Sequence, residues 1–579
     1  MSSPSGGPRD TVPPVALESL PVNGATNFTG KEVSITFDEY VVLDNINEKF
    51  MVSPPMQERP QVIIRGKDVR VRYEEELREN TTYTFNFLDA IRDLNESNPI
   101  DNFQFVFSTG PVIDSLSVNG SVRTALNLDI PENTLVMLHR NLDGSGVLEG
   151  IPDYITRVEK DGSFRINNIN AGTYRLYALK DLDNSKNFNL ADEEFAFLDS
   201  TIQVSPETNY NISGAAAASA PADSAATADP ALSAGMYSMI LFPAEKKTRY
   251  LTSSARPLQY RMTFTLSLPP DSMDFAFSIP GSDDDDYFIE RSSAGDTINV
   301  WLTDTALYAQ ELIRSVVTYP FTDTLGTDIY RTDTIAGRFV RPRQTRGSTA
   351  ARQSYRVSSP LSAGSIKPGA RIRFTSPTPL DATDTSKLIV YEVVDDSKIR
   401  VPYSLKPDSL NSCITYMDIA LKQGSNYIFS SDSAAFRSIY GEVTDSTGGR
   451  FSVRTPESYG HLTLNITNHS GQRIIQLLDR QEKILKEVVM KEDGILEFPL
   501  LEKGFYRLRA IYDLNGDGRW TTGDFSKGRQ PEPVSYYSSE IEIKINWEIT
   551  QDWDLGIRNS KPATMIRQGG TTGSTPGRI

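Results

Sequence analysis

The segment DLNGDGRWTTGD, residues 513–524, carries oxygen-bearing side chains at the spacing of a loop that wraps a calcium ion. Calcium takes about six to eight oxygen ligands, and a glycine at the sixth position permits the turn between them. Gly518 stands at that position. The spacing predicts a calcium site formed by Asp513, Asn515, Asp517, the carbonyl of Arg519, Thr521 and Asp524. The alternative is a polar hairpin turn that holds no metal.

A second acidic segment, DLDNSKNFNLAD, lies at residues 181–192, 332 residues earlier. Lys186 stands where the glycine is expected, and it would need a positive φ that side-chain-bearing residues adopt at a cost. The candidate calcium ligands of this segment are Asp181, Asp183, Ser185 and Asp192. In both segments we expect a structural ion that holds a long acidic loop against its β-sandwich.

Residues that could carry catalysis are sparse. The chain has three histidines and a single cysteine, Cys413, and none of them stands at the spacing of a zinc site. The sequence also lacks a nucleophile elbow, a phosphate-binding loop and a dinucleotide fingerprint in a suitable context. We therefore expect a protein that is not an enzyme.

The segments that must position these loops alternate apolar and polar residues, as in KEVSITFDEYVVL and TTYTFNFLDAI, with turn residues between them. Such short alternating runs are typical of β-sandwiches. DGSFRINNINAGTYRLYALKD, from Asp161, aligns without a gap to DGILEFPLLEKGFYRLRAIYD, from Asp493. Each copy leads from a strand directly into an acidic segment. The pattern predicts an all-β fold of tandem β-sandwich domains, immunoglobulin-like and transthyretin-like, in an elongated arrangement.

Composition shifts and the repeat place the domain boundaries. We expect a flexible tether (1–12), an Ig-like domain (13–110), a transthyretin-like sandwich (111–206), an Ala/Ser/Pro-rich linker or loop (207–235), a β-sandwich (236–350), a second Ig-like domain (351–455), a second transthyretin-like sandwich (456–556) and a disordered tail (557–579).

The formal net charge of −16 argues against a nucleic-acid partner, because phosphate backbones repel an acidic surface. A tripeptide of Asp, then Ser or Thr, then a small or apolar residue occurs twelve times. It resembles the O-glycosylation acceptor that Bacteroidota use on exported proteins. Turn formation by Asp-Ser and Asp-Thr pairs is the alternative explanation of this excess.

Two family resemblances extend these expectations. The repeated unit, with its DGxF and GxYxL motifs, resembles the transthyretin-like or carboxypeptidase-regulatory β-sandwich. GGPRDTVPPVALESLP, VSPPMQERP, ENTTYTFNFLDAIRDLNESNP and ALKDLDNSKNFNLADEEFAFLD resemble Bacteroidota lipoproteins that begin with an SbsA-type bacterial Ig-like domain. That resemblance implies a cell-surface protein held in the outer membrane by an N-terminal lipid anchor. The start of this sequence departs from the family pattern, because it carries no cysteine for the lipid.

These observations favour a non-catalytic scaffold on an outer-membrane protein complex, such as barrel-assembly, nutrient-uptake or secretion machinery. The alternative is a cell-surface protein that binds glycans. Sugar sites use exposed aromatic side chains, and the chain has only four tryptophans, Trp301, Trp520, Trp547 and Trp553.

Overall fold

The alternating segments form strands throughout the molecule, so the predicted all-β fold of tandem sandwiches is confirmed. The computed structural model describes residues 10–206, 237–245, 248–270, 275–323, 327–340, 355–362, 364–395 and 397–562. Helices within these residues are single turns. They are α1 (Ile46–Lys49), α2 (Gly146–Glu149), α3 (Thr305–Tyr308) and the 3₁₀ turns Asp284–Asp286, Pro360–Ser362, Thr385–Lys387, Pro456–Ser458 and Phe525–Lys527.

The first domain packs the sheet β1-β2-β6-β5 against β4-β7-β9, with the short pair β3-β8 beside them. Every second residue of β2 is buried, and Val33, Ile35 and Phe37 meet Phe85 and Phe107 in an aromatic-rich core. Its strands are β1 (Ala16–Leu20), β2 (Glu32–Phe37), β3 (Val41–Leu43), β4 (Met51–Ser53), β5 (Gln61–Arg65), β6 (Asp68–Arg72), β7 (Thr82–Leu88), β8 (Ile91–Asp93) and β9 (Phe103–Ser108).

The second domain is built around β14, the second strand of the first repeat copy, which pairs with β11, β15 and β16. The sheet order is β12-β11-β14-β15-β17-β10-β13. Its strands are β10 (Leu116–Thr124), β11 (Leu135–His139), β12 (Tyr154–Arg157), β13 (Ser163–Ile169), β14 (Gly172–Lys180), β15 (Glu194–Phe197), β16 (Ile202–Val204) and β17 (Tyr237–Pro243).

Strand β17 corrects the boundary expected at residue 236. It pairs parallel with β10 and antiparallel with β15, and its Met239 and Leu241 are buried in the core of the second domain. The expected third domain therefore does not include this strand. The linker predicted at 207–235 lies outside the described residues, and the strands on either side of it belong to the same domain.

The third domain packs β18-β19-β22-β21 against β20-β23-β24. Residues such as Phe264, Ile298 and Val317 form its core. Its strands are β18 (Leu251–Leu258), β19 (Arg261–Leu266), β20 (Ala276–Ser278), β21 (Tyr287–Arg291), β22 (Thr297–Leu302), β23 (Leu312–Thr322) and β24 (Asp328–Arg338).

The fourth domain packs β25-β34-β32-β28-β29 against β26-β31-β30, with the pair β27-β33 at one side. Phe374, Val390 and Tyr427 lie in its core. Its strands are β25 (Ser365–Ile366), β26 (Ile372–Thr375), β27 (Leu380–Thr383), β28 (Leu388–Val394), β29 (Ser397–Arg400), β30 (Tyr403–Pro407), β31 (Ile414–Ile419), β32 (Asn426–Ser431), β33 (Phe436–Ser438) and β34 (Thr447–Val453).

The fifth domain repeats the plan of the second around β39, the second strand of the second repeat copy. One sheet is β38-β35-β42, and the other is β37-β36-β39-β40, with β41 also paired to β39. Its strands are β35 (Gly460–Thr467), β36 (Arg473–Leu478), β37 (Ile484–Met490), β38 (Gly494–Leu501), β39 (Gly504–Tyr512), β40 (Val534–Tyr536), β41 (Ile541–Ile543) and β42 (Glu548–Asp554).

The fifth domain folds back onto the second domain, a contact that the predicted elongated arrangement did not include. Leu126 and Leu128 of the second domain pack against an apolar cluster of the fifth domain that contains Ile511 and Tyr536. The guanidinium of Arg509, which is buried, donates a hydrogen bond of 2.6 Å to the side-chain oxygen of Asn127. Apolar and polar contacts therefore join domains that are hundreds of residues apart in the chain.

Part of the expected disordered tail, predicted from residue 557, contacts the second and fifth domains. Residues 557–562 are described, and Lys561 forms ion pairs with Asp129 at 2.6 Å and with Glu482 at 3.1 Å. These contacts add to the interface between the second and fifth domains. Residues 1–9 of the expected tether and residues 563–579 of the expected tail lie outside the described residues. In the described part of the chain, no helix has the length and apolar character needed to span a membrane.

Candidate functional site

Two acidic loops follow the repeated strands and are the candidate functional sites. The first acidic loop, residues 181–193, joins β14 to β15. Asp181 Oδ2 accepts a hydrogen bond of 3.0 Å from the backbone N–H of Lys186. Asp183 Oδ1 accepts one of 2.9 Å from the N–H of Ser185, whose Oγ accepts one of 3.2 Å from the N–H of Asn187. These bonds wind the backbone around the side-chain oxygens.

Glu193 completes the first acidic loop, although the ligand spacing did not predict it. Its side chain is fully buried. Oε1 accepts a hydrogen bond from the N–H of Leu182 at 3.1 Å, and Oε2 accepts from the N–H groups of Asn189 and Leu190 at 3.2 and 3.1 Å. Asp192, the residue predicted at this place, is exposed. The inward carboxylate is thus one residue later than predicted.

Three carboxylates converge in the first acidic loop. One oxygen from each of Asp181, Asp183 and Glu193 lies within 4.8 Å of the other two. Asp181 Oδ1 is buried and has no hydrogen-bond partner among the described residues. Carboxylate oxygens are the ligand type that calcium prefers, and one of these atoms is buried and left unpaired.

The electrostatics of this loop differ from residue to residue. Burial raises the pKa of Asp181, and the nearby carboxylates of Asp183 and Glu193 also raise it. Hydrogen bonds from Ser185 and Asn189 lower the pKa of Asp183 to about 2. Concentrated negative charge around a partly buried carboxyl group is unfavourable, and a cation among these oxygens would relieve it.

The second acidic loop, residues 513–532, uses the same backbone scaffold. Asp513 Oδ2 accepts a hydrogen bond of 2.8 Å from the N–H of Gly518, as Asp181 does from Lys186. Asn515 Oδ1 accepts from the N–H of Asp517 at 2.9 Å, and Asp517 Oδ1 accepts from the N–H of Arg519 at 2.7 Å. The repeat therefore preserves the turn geometry of the loop and not only its strands.

Glu532 occupies the place that Glu193 has in the first loop, after an insertion of seven residues. It is buried and accepts hydrogen bonds from the N–H of Leu514 at 2.8 Å and of Thr521 at 2.9 Å. The gap-free alignment of the repeat could not find this residue, because the insertion shifts it out of register. The sequence signal for Glu532 would be a glutamate just before the strand that follows the loop, as Glu193 stands just before β15. Only the fold shows that this glutamate returns to the loop.

Asp524, predicted as the twelfth-position ligand, is engaged elsewhere. It precedes the 3₁₀ turn Phe525–Lys527 and accepts a hydrogen bond of 2.6 Å from the hydroxyl of Ser526. Lys527 lies 3.6 Å from its other oxygen. Thr521, in contrast, lies in the loop as expected, where its hydroxyl accepts a hydrogen bond of 2.7 Å from the amide of Asn515.

The second acidic loop also contacts the second domain. Phe525 enters a group of aromatic rings of the second domain, which we call the aromatic junction. Phe188 of the first acidic loop belongs to this group, so the two loops meet there. The ring of Phe525 lies 4.9 Å from Phe195, 5.4 Å from Phe197, 5.9 Å from Tyr177 and 6.4 Å from Phe188, between ring centroids.

Polar contacts surround the aromatic junction. The hydroxyl of Thr522 donates a hydrogen bond of 2.6 Å to the carbonyl of Pro243. The side-chain amide of Gln530 donates to the carbonyl of Phe197 at 2.9 Å and to Asp199 at 2.8 Å. Glycine is required at position 523, since a Cβ there would lie 2.6 Å from the ring of Phe242.

The tryptophans that could stack on sugars are mostly covered. Trp301 and Trp553 are buried, and the indole N–H of Trp301 donates to Glu290. Trp520 packs partly against the apolar clusters at the interface of the second and fifth domains. Trp547 is half exposed and lies outside β42, with the ammonium of Lys544 4.4 Å from its ring centroid.

Comparison with protein families assigns the first domain of the described chain. Residues 10–109, which span the first domain, match the model of a bacterial Ig-like domain. The chain is thus a protein of several β-sandwich domains that begins with a bacterial Ig-like domain. A search of curated proteins finds no match.

Solved structures give only distant similarity. The S-layer protein rSbsC (residues 31–844) is 9% identical over 86% of this chain and 65% of its own, with a TM-score of 0.13. The BSP domain of a biofilm-associated protein is 9% identical over 69% and 93%, with a TM-score of 0.14. The MG0-NIE-MG1 part of Escherichia coli alpha-2-macroglobulin is 12% identical over 52% and 98%, with a TM-score of 0.16. The chain spans less than two thirds of that S-layer protein.

Proposed function

We propose that this protein is a non-catalytic scaffold of the cell envelope, anchored in the outer membrane by an N-terminal lipid, that docks on an outer-membrane protein complex. The observation that carries the proposal is the contact between the second and fifth domains. Phe525 in the aromatic junction and the Arg509–Asn127 hydrogen bond hold distant domains together. A scaffold needs such fixed domain geometry, because its contacts with partners must occur at set distances.

Edge strands supply a docking surface for such a partner. β37 lies at the end of its sheet and pairs only with β36 in the described chain. Its Ile484, Leu485 and Val489 are 46%, 47% and 44% exposed. A partner strand can add to a free edge through backbone hydrogen bonds, and the apolar side chains give the contact specificity.

Export and glycosylation are part of the same proposal. Nine hydroxyl residues of the Asp-Ser/Thr tripeptides are described, and all except Thr297 are exposed: Thr11, Ser115, Ser200, Thr305, Thr334, Ser409, Ser433 and Ser446. Exposure is what an enzyme that attaches a glycan to a folded protein requires. The acceptors at Ser224, Ser272 and Thr324 lie outside the described residues.

Calcium is the structural cofactor that we propose for the acidic loops. In the first loop Asp181, Asp183 and Glu193 would hold the ion, and in the second loop Asp513, Asn515 and Asp517 would do so. Calcium would supply charge neutralisation and fix the loop backbone. Both loops border the aromatic junction, so the ion would stiffen the contact between the second and fifth domains.

The calcium proposal is tested by calorimetric melting of the full chain in calcium and in EDTA. We expect calcium to raise the melting temperature. Glu193→Gln should abolish the part of this rise that comes from the first loop, whereas Asp192→Asn, a matched change at the exposed neighbour, should retain it. Equal melting curves in calcium and EDTA, or equal effects of the two variants, would contradict the proposal.

The scaffold proposal is tested by affinity purification of the native lipidated protein in mild detergent, with calcium and with EDTA. We expect an outer-membrane protein at a fixed ratio to the chain. Changing Ile484 and Val489 of β37 to lysine should release that partner, whereas the matched change of Ile495, which is exposed on β38, should keep it. Purification without any protein partner, together with binding on a glycan array, would replace the scaffold with the glycan-binding alternative.

A further inference from the structure

A cleft of about 690 Å³ opens between the first and second domains. Phe50, Met51 and Met56 of the first domain and Ile155 of β12 form its apolar walls. The two domains are joined beside it, since the N–H of Ile155 donates a hydrogen bond of 3.1 Å to the hydroxyl of Ser53. The volume is within the usual range of about 300–1,000 Å³ for small-molecule sites, which often lie at domain interfaces.

Arg157, the last residue of β12, lines this cleft. Its Nε is buried and has no hydrogen-bond partner among the described residues. No carboxylate oxygen of the described chain lies within ion-pair distance of its guanidinium, although Glu48 and Asp181 also line the cleft. The charges of Glu48 and Asp181 act on Arg157 from beyond ion-pair distance. A partly buried guanidinium without a direct ion pair is costly to maintain, so its place on the wall of a cavity indicates a ligand.

The charge of the cleft differs from that of the chain. Three cations, Arg59, Arg157 and Lys186, line it against two acids, Glu48 and Asp181. The whole chain, in contrast, has a formal charge of −16. The negative charge of the whole chain attracts cations. A net positive lining at this one place attracts an anion instead, and so favours an anionic ligand for the cleft.

We propose that this cleft binds a small amphipathic carboxylate. The guanidinium of Arg157 pairs with the carboxylate of the ligand, for which its planar donors are suited. Phe50, Met51 and Ile155 cover the apolar body of the ligand. The proposal does not depend on the scaffold role, since none of these four residues belongs to β37. Asp181 and Lys186 of the first acidic loop also line the cleft, so the titration is run in EDTA and in calcium to separate anion binding from any effect of the ion.

Calorimetric titration of the full chain with decanoate tests the proposal, with decyltrimethylammonium as the cation of matched chain length. We expect one decanoate per chain and at least tenfold weaker binding of the cation. Arg157→Gln should weaken decanoate binding at least tenfold, and Arg157→Lys should recover part of the loss. Arg72→Gln, on an exposed side chain of β6 outside the cleft, should bind as the unchanged protein does.

A separate variant probes the apolar wall. Met51→Glu places a carboxylate in the cleft and should abolish decanoate binding, while the melting temperature reports that the domain still folds. Equal binding of anion and cation, or undiminished decanoate binding in Arg157→Gln, would overturn the proposal. Binding to Arg157→Gln with unchanged affinity and several decanoates per chain would show unspecific surface adsorption, which also overturns it.

Discussion

The second domain buries an ionisable residue, His139, that forms no ion pair within the described chain. His139, at the end of β11, is only 2% exposed, and its ring meets that of Tyr177 edge to face at 5.6 Å. Its Nε2 has no hydrogen-bond partner in the described chain. Burial lowers the pKa of His139 to about 4, because the imidazolium form would lose its hydration. Attraction to Asp153 opposes this shift only in part.

Because the pKa of His139 is lowered, we expect the second domain to lose stability in acid. Its pKa is lower in the folded state than the usual value of 6.5 in the unfolded chain. Its contribution is therefore fully present above about pH 6.5 and is lost as the pH falls towards 4. At pH 4 the loss should be about 3 kcal/mol. Hydrogen exchange of β11 in urea measures it, and His139→Phe, which does not titrate, should show a loss smaller by that amount. Parallel curves for both proteins would contradict the assignment.

At the scale of the element, the acidic loops show how one scaffold tolerates two sequences. Lys186 adopts a φ of 62° where Gly518 has 76°, so the lysine takes the left-handed conformation that its side chain disfavours. The hydrogen bond from its N–H to Asp181 holds it there, and Glu193 binds the loop backbone on either side, at Leu182 and Asn189. The local cost that the sequence predicted is present, and hydrogen bonds within the loop offset it.

A reciprocal pair of substitutions measures this cost. Lys186→Gly should stabilise the second domain by roughly 0.5–1 kcal/mol, because it removes the left-handed strain. Gly518→Ala should destabilise the fifth domain by about 1 kcal/mol. A Cβ at residue 518 meets no atom within 4 Å, so backbone conformation alone causes the effect. Chemical denaturation followed by domain-specific hydrogen exchange gives both values. Effects of the same sign would show that strain is not the cause.

At the scale of the whole molecule, the fifth domain packs against the second domain, which lies far from it along the chain. Leu126 and Leu128, the Arg509–Asn127 bond and the ion pair of Lys561 with Asp129 connect the second and fifth domains in addition to the aromatic junction. Apolar burial supplies most of the favourable free energy of such a contact, and the buried hydrogen bond fixes its register.

Phe525→Ala should open this contact. The alanine removes ring packing with Phe195 and Phe197, at a cost of about 2–3 kcal/mol, below that of a fully buried ring. Small-angle scattering should show a larger radius of gyration, and hydrogen exchange should become faster at residues 126–129. Phe505→Ala, a matched loss on β39 away from the junction, should leave both readings unchanged. An unaltered radius in Phe525→Ala would show that the other contacts suffice.

The sequence by itself determined the strands and the position of the acidic loops. Alternation of apolar and polar residues reflects the two faces of a strand. The spacing of Asp, Asn and Gly reflects the geometry of a turn. Both patterns depend on residues that are close in sequence, so the sequence alone predicts them. The hydrogen bonds of Asp181, Asp183, Asp513, Asn515 and Asp517 therefore follow the predicted winding.

Only the tertiary structure decided which residues complete those loops and where the domains end. Glu193 and Glu532 reach the loops by contacts that spacing does not encode, and Asp524 is drawn into a turn instead. β17 joins the second domain by pairing with β10 and β15, which lie far away along the chain, so a local pattern does not reveal the pairing. Packing across long sequence separations depends on the shapes of both surfaces, which a local pattern does not contain.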